Sequence, residues 1–209
     1  MRPTKILDLK IGSVNSLFSA LKKAGFTCVD VIEDLETLNY DDLLVIPGNG
    51  NFGKAISTID KLSMRQKILE FGSKKGKLLG ICLGMQILGK GSDESPSTHG
   101  LGFYDCVATK FDTNLVKRVP HLGWNSVTGS LKAEFTTFGE TNDFYFNHSY
   151  CFNIKDENYQ NLKTKYVNTE FVSGFISKNI IGVQFHPEKS SKAGNSFFRE
   201  VLLWSDVQI

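Results

Sequence analysis

This chain of 209 residues contains nothing that reads as a membrane span: no run approaches the ~18 consecutive apolar residues that cross a bilayer. Its start, MRPTKILDLK, lacks the apolar segment of a secretory signal, so a cytoplasmic protein is expected. Cysteine is scarce. Cys28, Cys82, Cys106 and Cys151 form no C-x-x-C pair and no framework spacing, which fits reduced thiols. The four histidines show no ligand spacing, so no metal is expected, and no motif asks for a cofactor. Excess charge of one sign is also missing: 24 Lys and Arg against 22 Asp and Glu leave +2. That is too little for a nucleic-acid surface, and no basic stripe with interleaved aromatics occurs. Lys74, Lys75 and Lys77 form the densest basic run and read as a solvated helix end. Repeats, low-complexity tracts and linkers are absent. One domain over residues 1–209 follows, long enough to bury a sizeable core.

What the chain does have is glycine, 19 copies, many of them between apolar runs. KILDL (Lys5–Leu9), CVDVI, DDLLVIPG and KLLGIC read as buried strands. Between them lie helical patterns. Val14, Leu17, Phe18 and Leu21 form a stripe stopped at Gly25, residues 59–74 form a second helix, and LGMQILG a short third. This alternation predicts an α/β fold with a mostly parallel central sheet flanked by helices. The second half differs. GLGFYDCVATKF, HLGWNSVTG, DFYFNHSYCF, TEFVSGFISK and NIIGVQFHP are short, β-rich and turn-punctuated, and are expected to add antiparallel strands. NSFFREVLLWS returns to helical spacing. Cys28 and Cys106 fall in apolar strands and read as core, and Cys151 as structural.

Cys82 has a different context. LLGICLGMQ carries G-x-C-x-G, the spacing of a nucleophile elbow with cysteine in place of serine. Such a turn exposes its central side chain at the C-terminal edge of a sheet, and small residues two positions away on either side avoid collision. The helix that follows aims its first N–H groups at the site and favours a thiolate. The Leu83 N–H is then placed to donate to an oxyanion. Taken alone, the motif fits a buried cysteine in a Gly-rich turn as well.

A thiolate nucleophile needs an imidazole, and an imidazole needs a carboxylate to fix its tautomer. IGVQFHPEKS supplies both. In an extended segment residues i and i+2 share a side, so His186 and Glu188 can lie together while Pro187 stiffens the turn. A lone histidine at a strand end is ordinarily structural; its combination with an elbow cysteine points to a Cys-His-Glu set.

With these residues in place, the chain resembles the class I glutamine amidotransferases. Within that family it is similar to the glutaminase subunits of imidazole glycerol phosphate synthase, in histidine biosynthesis. The resemblance rests on IPGNGNFG, GICLGMQIL, VPHLGWN, YFNHSY and GVQFHPEKS, in the family's order over nearly the whole chain. It implies hydrolysis of L-glutamine to glutamate and ammonia through a Cys82 thioester, with His186 as acid and then base and Glu188 behind it. It also implies a partner (β/α)8 cyclase that receives the ammonia. Gly48, Asn49 and Gly50 would form the oxyanion loop. Gln86, one helical turn past Cys82, would border the glutamine together with Ser149 and Tyr150, and His148 would shape the pocket. Ser13, His121, Leu122, Trp124 and Lys189 resemble residues that face the cyclase. His99 reads as solvated.

Two positions depart from the family's pattern. Ser13 stands where asparagine is usual. Asn49 replaces a small apolar residue in the oxyanion loop and is expected to tolerate unusual backbone angles there. Both leave open a paralogous glutaminase that feeds surface-sugar amidination. A catalytically silent regulatory subunit is the alternative of another class, disfavoured by the intact Cys-His-Glu set. A stand-alone peptidase or γ-glutamyl hydrolase is disfavoured by PHLGWN.

Overall fold

The structure is a computed structural model that describes residues 2–129, 143–153, 160–177 and 179–207. The first part alternates strand and helix: β1 (Thr4–Leu7), α1 (Asn15–Ala24), β2 (Val29–Ile32), β3 (Leu43–Ile46), α2 (Phe52–Lys61), α3 (Arg65–Ser73), β4 (Lys77–Ile81) and α4 (Leu83–Leu88). Then come β5 (Gly91–Ser92), β6 (Val107–Lys110), β7 (His121–Ser126), β8 (Asp143–His148), β9 (Tyr150–Cys151), β10 (Gln160–Tyr166), β11 (Thr169–Ser177), β12 (Ile180–Val183) and α5 (Ser191–Asp206). Among the described residues the main sheet has seven strands, in the order β10-β11-β12-β4-β3-β1-β2. From β12 to β2 all neighbours are parallel; β10 and β11 extend one edge antiparallel. β7 and β8 form a separate two-stranded antiparallel sheet, joined to β10 by Asn125 Nδ2 donating to the Lys165 carbonyl at 3.0 Å. No helix among the described residues is long and apolar enough to cross a membrane.

Alternation along the strands sorts the core into two layers. Leu43 and Val45 join α1 and α5 on one face, through Leu17, Leu21, Phe197, Phe198 and Val201. Leu44 and Ile46 join α2, α3 and α4 on the other, through Phe52, Ile56, Ile59, Ile68 and Met85. Runs such as Leu-Leu-Val-Ile in β3 are apolar at every position because both faces are covered.

Four sequence expectations change. The helix expected over residues 59–74 is two helices: α2 starts at Phe52, and Ser63 at φ 53 breaks the path before α3. Asn51 caps α2 by accepting from the Lys54 N–H at 2.9 Å. Lys77 is not solvated. It sits buried in β4, its Nζ donating to the Trp204 carbonyl at 3.1 Å and lying 4.3 Å from the centroid of the Trp204 ring. Cys28 is exposed and Cys106 half-buried; each precedes its strand rather than lying inside it. Of GLGFYDCVATKF, only Val107–Lys110 pairs as a strand.

The order of strands reverses between β1 and β3, since β2 lies on one side of β1 and β3 on the other. Loops at such a point frame a crevice beyond the C-terminal ends of the strands. Here the loops after β1 and β3 touch: the Asn49 N–H donates to the Ile11 carbonyl at 3.4 Å.

Candidate active site

Cys82 follows directly on β4 and caps α4 with φ 53 and ψ −106, a conformation that a non-glycine residue holds only when its surroundings enforce it. They do. The Cys82 N–H donates to the Val183 carbonyl at 2.7 Å, and the Gln86 N–H to the Cys82 carbonyl at 3.3 Å. Val183 pairs with Ile81 in register, so the chain after β12 runs beside the elbow. Three residues after Val183, His186 arrives, its N–H bound to the Tyr145 carbonyl of β8 at 2.8 Å.

His186 Nδ1 lies 2.8 Å from Glu188 Oε1, with both side chains largely buried. The two do not share a straight extended segment as expected. Pro187–Lys189 forms a 3-10 turn, which swings the carboxylate back under the ring. A carboxylate accepts only, so Nδ1 carries a proton and Nε2 faces the nucleophile. Burial opposes charge on this imidazole. Cys82, and then Glu188, overcome that and raise its pKa to about 10. His186 Nε2 is buried and has no hydrogen-bond partner among the described residues.

Beside the elbow lies a cavity of ≈ 200 Å³, lined by Asn49, Gly50, Cys82, Leu83, Gln86, Glu94, Pro120, Asn147, His148, Ser149 and Tyr150. It gathers most of the residues expected to hold a substrate. Gly48 lies outside it, lining a second cavity of ≈ 130 Å³ behind the loop with Ser13, His186, Glu188 and Lys189. The Leu83 N–H donates to the Gly48 carbonyl at 3.3 Å, and the Asn49 N–H is taken by Ile11. The Leu83 amide expected to serve an oxyanion and the Asn49 amide of the oxyanion loop are therefore both occupied. Asn49 does not exploit its tolerance of unusual angles: it is absent from the described residues with positive φ.

Glu94 is a cavity residue that the sequence did not reveal. Its Oε2 accepts from the Phe52 N–H at the start of α2, at 2.6 Å. No motif marks it; the signal was the adjacent carboxylates Asp93 and Glu94 in the polar stretch after the elbow helix. Gln184 was missed too, although it lies inside GVQFHPEKS. Its Nε2 is 3.5 Å from Cys82 Sγ.

The expected partner-facing residues divide. Ser13 and Lys189 are exposed, and Leu122 and Trp124 are 60% and 56% exposed. Lys189 Nζ and the Trp124 ring both pack on Tyr145. His121, expected on the same surface, is buried, because alternation along β7 turns it inward. It stacks between Phe146 and Tyr166 and meets His148.

The tautomers along this line are settled. His148 Nδ1 lies 2.9 Å from the Tyr150 carbonyl, so it donates. His148 Nε2 then accepts from His121 Nδ1 at 3.1 Å, and His121 Nε2 accepts from Asn125 Nδ2 at 3.3 Å. Burial lowers the pKa of both rings, His121 to about 4 and His148 to about 3; for His148 the neighbouring His121 adds to the effect. Their folded values lie below the unfolded one. Their contribution to stability is therefore complete above pH ~6.5 and is lost as the pH falls towards 4. The denaturant midpoint should drop on acidification through this window, and the drop should be shallower in His148→Gln, which has one such proton fewer to take up.

The comparisons with known proteins agree with this geometry. Residues 5–203 match the family described as glutamine amidotransferase class-I. The chain belongs to the class I glutamine amidotransferases. At finer grain it is 43% identical, over 90% of its length and 92% of the relative's, to the imidazole glycerol phosphate synthase subunit HisH of Pyrococcus furiosus. It is 34% identical to the chloroplastic imidazole glycerol phosphate synthase hisHF of Arabidopsis thaliana, over 94% of this chain but only 33% of that longer one. A crystal structure described as a glutamine amidotransferase shares the fold, with TM-score 0.75 at 17% identity over 98% of this chain and 99% of that one.

Proposed function

We propose that the chain is the glutamine-hydrolysing subunit of an imidazole glycerol phosphate synthase, with Cys82 as nucleophile, His186 as proton carrier and Glu188 as the group that orients it. The observation that carries this is the Glu188–His186 pair aimed at a strained elbow cysteine on the wall of a cavity. The Cys82 thiolate attacks the carboxamide carbon of glutamine. The C=O electrons move to oxygen, giving a tetrahedral oxyanion. His186, protonated and paired with the thiolate, gives its Nε2 proton to the departing nitrogen, and ammonia leaves a thioester. Neutral His186 then takes a proton from water, whose oxygen attacks the thioester and releases glutamate.

Substrate recognition follows from the cavity wall. The Tyr150 carbonyl accepts from Gln86 Nε2 at 3.1 Å, and Gln184 Oε1 accepts from the same nitrogen at 3.1 Å. Gln86 therefore has only its oxygen left for a ligand, and Glu94 adds a carboxylate on the same wall. Together they suit the α-ammonium of an amino acid. Glu94→Gln can keep an oxygen towards the Phe52 N–H, but it then turns an NH₂ group towards that ammonium. Steady-state kinetics on this variant should show KM for glutamine raised by about tenfold or more with kcat changed little.

The occupied Leu83 and Asn49 amides imply a slow resting state. Ser13, Leu122, Trp124 and Lys189 would carry a cyclase whose docking on the loop after β1 frees them. The plant relative, whose chain extends far beyond the match, fits a partner joined covalently. Glutamate release is the test, measured for the chain alone, with the histidine-pathway cyclase of the same organism, and with that cyclase plus its nucleotide ligand. A large rise in the third arm supports the proposal. If Cys82-dependent hydrolysis ignored that cyclase, the acceptor would be another, such as a nucleotide sugar.

A further inference from the structure

Two buried carboxamides behind the nucleophile can be oriented without ambiguity. A backbone carbonyl only accepts, so the Gln86 atom 3.1 Å from the Tyr150 oxygen is the nitrogen. That nitrogen also meets Gln184 at 3.1 Å, so Gln184 presents its oxygen there. The Nε2 of Gln184 is thereby turned towards Cys82 Sγ, 3.5 Å away. Gln184 is fully buried. Its backbone is fixed as well: its N–H donates to the Ser173 carbonyl at 2.9 Å, and it directly follows Val183, whose carbonyl holds the Cys82 N–H.

The sulfur sits between opposed influences. On one side is the Gln184 N–H, a donor. On another, at 3.8 Å, is the Asn147 carbonyl, which only an S–H can satisfy. The donor stabilises the thiolate, by a charge-assisted bond that a neutral thiol accepts only weakly. The acceptor stabilises the thiol. We propose that Gln184 is a positioning residue for the nucleophile: its Nε2–H, aimed by Gln86, holds the Cys82 sulfur towards the cavity and shifts it towards the reactive, ionised form. This rests on the assignment of Cys82 as nucleophile. The other titratable groups around the sulfur are His186 with Glu188 behind it, and His148, Tyr150 and Glu94 along the cavity. The side-chain bonds of Gln184 go to Gln86 and Cys82 rather than to any of these groups.

The test reads the sulfur directly, without substrate or partner. Wild type, Gln184→Met and Gln184→Glu are treated with iodoacetamide at neutral pH, and the rate of alkylation at Cys82 is followed by peptide mass spectrometry. Cys28, Cys106 and Cys151 serve as internal references, and thermal unfolding reports the fold. Gln184→Met has similar length, no charge and no donor, so alkylation of its Cys82 should slow by about tenfold. Gln184→Glu keeps an acceptor for Gln86 but loses the donor, and should slow at least as much. A further variant, Gln86→Met, leaves Gln184 in place but frees its carboxamide to turn; it should slow alkylation less, and it serves if the Gln184 variants do not fold. Folded Gln184→Met with a wild-type rate at Cys82 overturns the proposal while leaving Cys82 as nucleophile. A wild-type Cys82 no faster than exposed Cys28 overturns the nucleophile assignment, and the proposal with it.

Discussion

Cys82→Ala should abolish glutamine hydrolysis, with glutamate release falling by at least about a thousandfold while the thermal midpoint stays close to wild type. The two halves of this expectation have separate causes. No other cysteine lines the cavity, so no thiol can take over the attack on the carboxamide. The side chain removed is small, and alanine relaxes neither the Val183 nor the Gly48 backbone bond that shapes the turn. His186→Ala should be about as damaging, because both the departing nitrogen and the attacking water need the same imidazole. Glu188→Gln should cost less, since its amide oxygen can still accept from His186 Nδ1 and only the charge is gone. An alanine variant that still released glutamate at the wild-type rate would remove Cys82 from the mechanism.

The second large effect concerns the fold beneath the site. A methyl group on Gly84 would overlap the carbonyl oxygen of Ile46, at the end of β3. Backbone meets backbone there, so no rotamer change relieves the clash, and α4 must lift from the sheet. Gly84→Ala should be destabilised by about 3 kcal/mol or more, a fall of at least ~6 °C in Tm by thermal unfolding. Gly91→Ala is the control. Its methyl would find only the Thr98 carbonyl oxygen, at 3.4 Å, and its Tm should move little. If both variants melted alike, close packing of the elbow against β3 would not explain Gly84.

Gly84 shows what could be read from residues alone. The elbow spacing announced a close approach at Gly84, because G-x-C-x-G is a local pattern set by local sterics. The parallel strands were legible for a similar reason: both faces are covered, so β3 is apolar throughout and β4 is apolar after Lys77. What escaped depended on contacts between distant segments. Glu94 enters the cavity because it caps a helix that begins 42 residues earlier, and no short pattern records that. Lys77 looked like part of a solvated run, yet the Trp204 carbonyl and ring, 127 positions later, accommodate it in the core. His121 was misplaced because its motif names a surface, whereas its neighbours on β7 alternate between surface and interior. The oxyanion loop was recognisable, but its occupied amides are a matter of peptide orientation, to which side-chain chemistry gives no access.

The pairing of Val183 with Ile81 also acts as a ruler. Only Gln184 and Phe185 separate the last paired residue of β12 from the imidazole. Gln184 and His186 turn towards the sulfur, while Phe185 packs into the core against Phe144 with ring centroids 4.1 Å apart. Adding or deleting one residue in this spacer would exchange the two faces, burying the imidazole and pushing the phenyl ring into the site. A lineage descended from this protein can therefore redesign its helices and lengthen its surface turns, but the count between β12 and His186 is closed to it. In the vocabulary of inheritance, that two-residue interval is heritable as a length before it is heritable as a sequence.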